Sequence, residues 1–371
     1  MISTILIFLA VLALLVLAHE AGHFFVAKKI GAKVEEFGFG FPPRLFYFKR
    51  GQTVYSINAL PLGGFVRIKG ENGDYGADAD SFASKSPIRK IFVMAAGVAM
   101  NMILAFVLLS VGFATGIPQV VSDSMPSYAR VEQERITVAH VEPDSPVSKA
   151  GIGAGEHILA IDGNKFKSIQ EIQAYLQTKQ DKAVEVQTLR AGRETTTSVL
   201  PELSEDGNRV IMGASLLETG VVSYPVYRAV LYGATSTVNM TGMFIASFAD
   251  IIKSAFGEKK TAVEVAGPLG IAVMTGEMAR LGMPYLLQFA AALSINLAII
   301  NFIPFPALDG GRAMFVLLER FRGRPVSRNL ENAIHTTGFA FLMLLVAFVT
   351  YRDLARFGGQ IVGGLRNLFG I

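Results

Sequence analysis

Residues 1–18 form an apolar run with no ionisable side chain, and after a polar break at 19–23 the run resumes through Phe24, Phe25 and Val26 to Lys28 and Lys29. About 20 apolar residues cross the hydrocarbon core of a bilayer as a helix, so residues 1–29 predict a spanning helix. A signal peptide carries its positive charge ahead of the apolar run and a small-residue cleavage site after it. Here the lysines follow, which favours a retained anchor. Ile91 to Ser122, Leu281 to Leu308 and Asn332 to Tyr351 also lack acidic and basic side chains over a sufficient length, the last of them containing His335. The boundaries adopted are 91–122, 281–309 and 332–354, giving four spans.

Residues 229–249 are equally free of charge, but Thr235, Ser236, Thr237, Asn239 and Thr241 crowd the middle of the stretch. Met240, Met243, Phe244, Phe248, Ile251 and Ile252 then recur at roughly helical spacing. Residues 226–257 are therefore expected to form an amphipathic helix lying in the interface rather than a fifth span. Between the first two spans, in residues 30–90, the pattern shortens to alternation. Phe37 to Phe41, Leu45 to Phe48, Val54 to Ile57 and Gly63 to Ile68 read as strands, with turns at Pro42-Pro43 and Arg50-Gly51-Gln52. A second alternating region, from Ile136, is punctuated by Gly and Pro and includes an amphipathic stretch at 169–176, predicting a small α+β domain within residues 125–222.

Composition sharpens this picture. Hydrophobic residues make up 51% of the 371 positions and charged residues only 17%, with a mean hydropathy of +0.43, more than a soluble core of this size requires. The net charge of +4 is too small and too dispersed to suggest a nucleic-acid partner. Its distribution is more informative. Residues 28–90 carry 11 Lys/Arg in 63 positions and residues 117–228 carry 11 in 112, while Arg312, Arg320, Arg322, Arg324 and Arg328 fill the connection after the third span. Basic loops resist translocation, so the first and third connections are expected in the cytoplasm, with the N-terminus and the α+β domain outside. Cysteine is absent, which excludes disulfides, thiolate metal sites and cysteine nucleophiles and leaves His, Asp and Glu as the strong metal donors.

The break in the first span reads His19-Glu20-Ala21-Gly22-His23. On a helix, positions i and i+4 share a face, so both imidazoles can reach one cation with the glutamate beside its bound water. Two histidines and a glutamate inside an apolar helix are costly without such a partner. A catalytic zinc site takes three protein ligands and keeps one position for water. The only acidic residue bordering the third span is Asp309, and with four spans it falls near the same membrane face as His19 and His23; a fifth span would strand it in the other leaflet. His140 and His157, in the α+β domain, are surrounded by no carboxylate-histidine metal spacing and are expected to be ordinary surface or core histidines.

The H-E-A-G-H of the first span, A-A-G-V-A-M-N opening the second and N-F-I-P-F-P-A-L-D-G-G closing the third together resemble the site-2 protease family of intramembrane zinc metalloproteases, most closely its bacterial regulator of sigma-E protease group. The run Ser145-Pro146, Lys149-Ala150-Gly151 and Ile161-Asp162-Gly163 resembles a bacterial PDZ domain over about Arg130 to Leu203. The resemblance implies a polytopic α-helical protein of a bacterial inner membrane, with one extracytoplasmic PDZ-like domain and a β-hairpin region dipping into the membrane beside the site. It further implies one Zn2+ per chain on His19, His23 and Asp309, Glu20 as general base, and single-pass membrane proteins as substrates, such as an anti-sigma factor or a signal-peptide remnant. Asn296 and Asn301 match asparagines that hold the substrate backbone in the family, and Gly38 and Gly40 lie in the hairpin region expected to contact substrate. Val98 stands where the second motif often has proline, and one PDZ-like domain is visible where relatives often have two. That domain could take peptide termini by strand addition or merely exclude bulky substrates. A different class of protein, a PDZ-bearing scaffold with a structural metal, would need a fourth protein ligand, and none is evident.

Overall fold

The computed structural model describes residues 2–71, 78–122, 125–180, 182–190, 192–204, 209–256, 266–324 and 326–369. In chain order these form α1 (Ile2–Lys29), β1 (Val34–Arg50), β2 (Thr53–Ile68), α2 (Pro87–Thr115), β3 (Ile117–Val120), β4 (Arg130–Val141), α3 (Pro146–Lys149), β5 (His157–Ile161), α4 (Ile169–Gln177), β6 (Val184–Arg190) and β7 (Arg193–Val199). They continue with β8 (Glu202–Leu203), β9 (Val210–Ile211), β10 (Ala214–Ser223), α5 (Val226–Phe256), α6 (Pro268–Leu281), α7 (Met283–Phe302), α8 (Asp309–Arg322) and α9 (Arg328–Phe369). Four helices among the described residues are long and apolar enough to cross a membrane: α1, α2, α7 and the Arg328–Arg356 part of α9. The helix α5 is not among them, in keeping with the polar residues in its middle.

Several expected boundaries move, each for a local reason. The second helix runs 87–115 rather than 91–122. It stops where Gly116 takes φ 121°, and Ile117–Val120 then pairs with β10. The third span ends at Phe302, so Asp309 does not close it. Pro304 and Pro306 each lack an N–H and push the preceding residue out of helical conformation, Ala307 adopts φ 76°, and Asp309 opens the separate helix α8. The fourth helix is longer than 332–354. Outside the α+β domain, two helices were not anticipated: α8, in the arginine-rich connection, and α6. The latter starts at Gly267-Pro268-Leu269-Gly270, where the buried Asp353 of α9 accepts the backbone N–H groups of Gly267 (3.2 Å) and Gly270 (2.7 Å). Proline at the first helical position and a carboxylate against the orphan amides suit a helix N-terminus, and a Cβ on Gly267 would lie 2.7 Å from that carboxylate.

The chain divides into two compact units. The first comprises Met1–Leu109, Gly233–Ala279 and Leu287–Ile371, and the second comprises Ser110–Tyr232 and Arg280–Leu286. In the first, the four strand segments read from the sequence become four rows of one small sheet, with a tight turn at Gly51 and Gln52. Phe37 pairs with Val66 on one side and Tyr55 on the other, and Ser56 pairs in turn with Tyr47. The rows therefore lie in the order 64–68, 34–39, 54–57 and 46–50. Phe24, Ala27, Val34, Ile68, Phe82 and Val93 form a buried cluster that fixes this sheet to α1 and α2.

In the second unit, six strands pair in the order β3-β10-β4-β5-β6-β7 around a core that includes Ile136, Val138, Ile161, Ile172, Val184 and Val186. Ser145 caps α3 through the Ser148 N–H, and Ser168 caps α4 through the Glu171 N–H. Of its two histidines, His140 is exposed, while His157 is buried, lies 2.9 Å from the Thr137 hydroxyl and has its pKa lowered by burial. Neither belongs to a potential metal cluster among the described residues. Asp162 ties the β5 turn to β6 and α4. Its carboxylate accepts from Glu185 N–H (2.8 Å) and Tyr175 O–H (2.9 Å) and pairs with Lys179 (3.0 Å). The Glu185 amide is the main reason its pKa lies below the usual carboxylate value. Asp162→Ala should destabilise this unit by about 1–3 kcal/mol, the cost of leaving such groups unpaired. A lowered folded pKa gives stability that is present above the unfolded value of about 3.9 and lost as pH falls through the folded one. Hydrogen exchange over 157–190 in the intact chain should show the difference between variant and wild type at pH 6 and its shrinkage below pH 4.

Candidate metal centre and active site

The helix α1 presents His19 and His23 one turn apart, both 8% exposed. Their Nε2 atoms are 3.1 Å from each other, and Asp309 Oδ2 lies 3.0 Å from His19 Nε2 and 3.2 Å from His23 Nε2. Three donors from opposite ends of the sequence thus make a nearly equilateral triangle. Tetrahedral zinc with bonds of about 2.0–2.1 Å has ligand-to-ligand separations of about 3.3 Å, so the observed edges are close to what one cation requires. The donor chemistry agrees. His23 Nδ1 lies 2.8 Å from the carbonyl oxygen of Val93 and donates its proton there, which leaves the Nε2 lone pair facing Asp309. Asp309 Oδ2, buried, faces these two ring nitrogens. A carboxylate oxygen and two imidazole nitrogens gathered this closely form a donor set that a bound cation would hold together.

The approach of α2 is what shapes this corner. A Cβ on Gly97 would lie 2.5 Å from His23 Nε2 and 2.6 Å from His19 Cε1, and a Cβ on Gly22 would lie 2.2 Å from the Ala96 carbonyl oxygen. Both positions need glycine so that α1 and α2 can come within reach of each other's backbone. The loop carrying Asp309 is held from α9, where His335 Nδ1 accepts the Ala307 N–H at 2.9 Å. Sequence reasoning noted His335 as the one histidine of the fourth span without giving it a role; an ionisable side chain inside an apolar helix was the available signal.

A cavity of about 390 Å³ opens onto the triad. Glu20 lines it, and Gly64 comes close enough that an added Cβ would lie 3.2 Å from Glu20 Cγ. Residues 64–68 form the opposite wall, and Arg312, hydrogen-bonded to Glu71, completes the rim. The other expected substrate residues are not in this wall. Gly38 lies in the next row of the sheet and Gly40 just beyond its end; added Cβ atoms there would lie 2.5 Å from the Phe65 ring and 2.7 Å from the Leu60 carbonyl oxygen, respectively. Asn301 donates to Leu297 O of its own helix at 3.0 Å, and neither it nor Asn296 lines the cavity.

Residues 7–345 match peptidase family M50. The chain belongs to peptidase family M50. Among its M50-type relatives, a Clostridium perfringens protein provisionally named a zinc metalloprotease is 35% identical over 348 residues, covering 92% of this chain and 95% of that one. The regulator of sigma-W protease RasP of Bacillus subtilis is 30% identical over 440 residues, covering 96% and 99%. The zinc metalloprotease RasP of Geobacillus kaustophilus is 28% identical over 439 residues, with the same coverage. These last two alignments are longer than this chain, so both relatives carry segments that it lacks. A solved PDZ domain of an SdrC-like protein from Listeria monocytogenes is 26% identical, covers 24% of this chain and 92% of that domain, and has a TM-score of 0.22. For this M50 peptidase, family membership sets aside the reading as a non-catalytic scaffold.

Proposed function

We propose that the protein is an intramembrane zinc endopeptidase that cuts within or beside transmembrane segments of single-pass substrates, binding one Zn2+ per chain through His19, His23 and Asp309. The convergence of those three donors at 3.0–3.2 Å in one cavity with Glu20 carries the reading. Bound zinc supplies a Lewis acid and lowers the pKa of coordinated water towards neutrality. Glu20 takes the proton of the attacking water as the new C–O bond forms and then returns it to the leaving amide nitrogen as the peptide C–N bond breaks. No covalent enzyme intermediate is needed.

A helical substrate must be unwound before its carbonyl is accessible, and its freed backbone groups need partners where water is scarce. The row 64–68 pairs only with 34–39 among the described residues, and it forms the cavity wall. Its other edge can take the unwound segment as an added strand. We place the backbone contact on 64–68, which lines the cavity, rather than on Gly38 and Gly40, which do not. Asn296 and Asn301 retain a substrate role only if closure on the substrate brings them to the cavity.

The test is cleavage of a tagged single-span protein by the detergent-purified enzyme, with and without a zinc chelator. Cleavage should stop with the chelator and return with added zinc; chelator-resistant cleavage would contradict the metal-dependent mechanism. The basic loops support a cytoplasmic active site with the N-terminus and the PDZ-like domain outside a bacterial inner membrane. Because the chain has no cysteine, single substitutions report this directly. In intact cells, an impermeant maleimide should label Lys165→Cys and spare Arg50→Cys, and the reverse pattern would invert the topology.

A further inference from the structure

Val93, Gly97 and Asn101 occupy one stripe of α2, spaced four residues apart like the histidines they face. Val93 supplies the carbonyl that fixes His23, and Gly97 supplies the space for both rings. Asn101, fully buried, lies against the other histidine. Its amide group is 3.3 Å from His19 Nδ1, and its backbone carbonyl accepts the Ser294 hydroxyl of α7 at 2.8 Å, which fixes α2 at this level. With the NH2 group turned to His19, Nδ1 is an acceptor and the ring proton must sit on Nε2, the atom 3.0 Å from Asp309 Oδ2. A protonated Nε2 has no lone pair for a metal. In that orientation Asn101 Oδ1 is also buried without a partner. A half-turn of the carboxamide exchanges O and N with almost no movement of heavy atoms. The half-turn exchanges one unpaired buried group for another, so the metal decides between them: only an oxygen facing Nδ1–H leaves Nε2 free to coordinate.

We infer that Asn101 is a positioning residue for the metal centre, its amide oxygen accepting the His19 Nδ1 proton and holding that ring in the same tautomer that Val93 imposes on His23. The inference rests on the metal-site reading above and extends it to a side chain that touches neither metal nor substrate. Outer partners of metal-bound histidines fix tautomer and ring orientation, and their loss typically weakens metal binding by roughly 10–100-fold.

Zinc affinity, measured on the detergent-purified full chain by competition with a chromogenic chelator, tests it. Asn101→Leu, of similar shape with neither donor nor acceptor, should weaken zinc binding by roughly 10–100-fold. Asn101→Asp, which keeps an acceptor and loses the donor, should stay within a few-fold of wild type. If Asn101→Leu binds zinc as tightly as wild type while His23→Ala loses it, Asn101 has no positioning role and the metal site stands. If Asp weakens binding as much as Leu, the amide nitrogen is the required atom and the tautomer assignment is wrong. If the wild-type chain itself takes up no zinc, the underlying reading fails instead. A measurement that needs no variant to fold covers the remaining case. With 5 histidines in the chain, 15N-histidine spectra of the zinc-loaded wild type should show His19 protonated at Nδ1 and metallated at Nε2; the opposite assignment overturns the proposal.

Discussion

Glu20→Gln is expected to keep its zinc and lose cleavage by a factor of about 10²–10⁴, the usual worth of a positioned general base. Glutamine preserves the shape of the side chain and its place in the cavity wall but takes no proton. Since Gly64 presents only backbone beside Glu20 Cγ, the substitution has room and should not disturb the sheet. Single-turnover cleavage of a tagged single-span substrate, read beside zinc content by metal analysis, separates the two effects. A variant that cuts at the wild-type rate would remove Glu20 from proton transfer, and one that has lost its zinc would mean that the residue supports the metal instead.

Asp309→Ala should weaken zinc binding beyond the roughly 100-fold that loss of an outer partner costs, because it deletes one donor of three and leaves two buried imidazoles facing an empty corner. Its cleavage should fall with its zinc content and recover in part at high added zinc. His23→Ala should behave alike. Unchanged zinc stoichiometry in Asp309→Ala, with the chain folded by hydrogen exchange, would show that the triad observed around Oδ2 is not the metal site.

The grouping of His19, His23 and Asp309 was largely legible in the sequence because each part leaves a local mark. The i, i+4 spacing of His19 and His23 puts them on one helix face whatever the rest of the chain does, and Asp309 is the lone acid at the end of an apolar stretch. The spans were legible for the same reason, up to the ends set by backbone events such as Gly116, or Pro304 with Ala307. The α6 helix was hidden because its start is stabilised by Asp353, 83 residues from Gly270, a contact with no local signature. Gly97 and Asn101 were visible as a motif, yet their purpose depends on how closely α2 passes α1. Which row faces the cavity was hidden for a related reason. Strand alternation identifies the segments 34–39 and 64–68 but says nothing of which is outermost, since that order follows from pairing between distant residues.

Asp309 is made late. The two histidines leave the ribosome early, and their third partner follows roughly 290 residues afterwards, which at about 5–20 residues per second is roughly 15–60 s of synthesis. Throughout that interval the nascent chain carries His19 and His23 without Asp309, the third donor proposed for the cation. On the ligand set proposed above, a nascent chain therefore lacks its complete cation site until α8 has been made, and a chain truncated before α8 stays so.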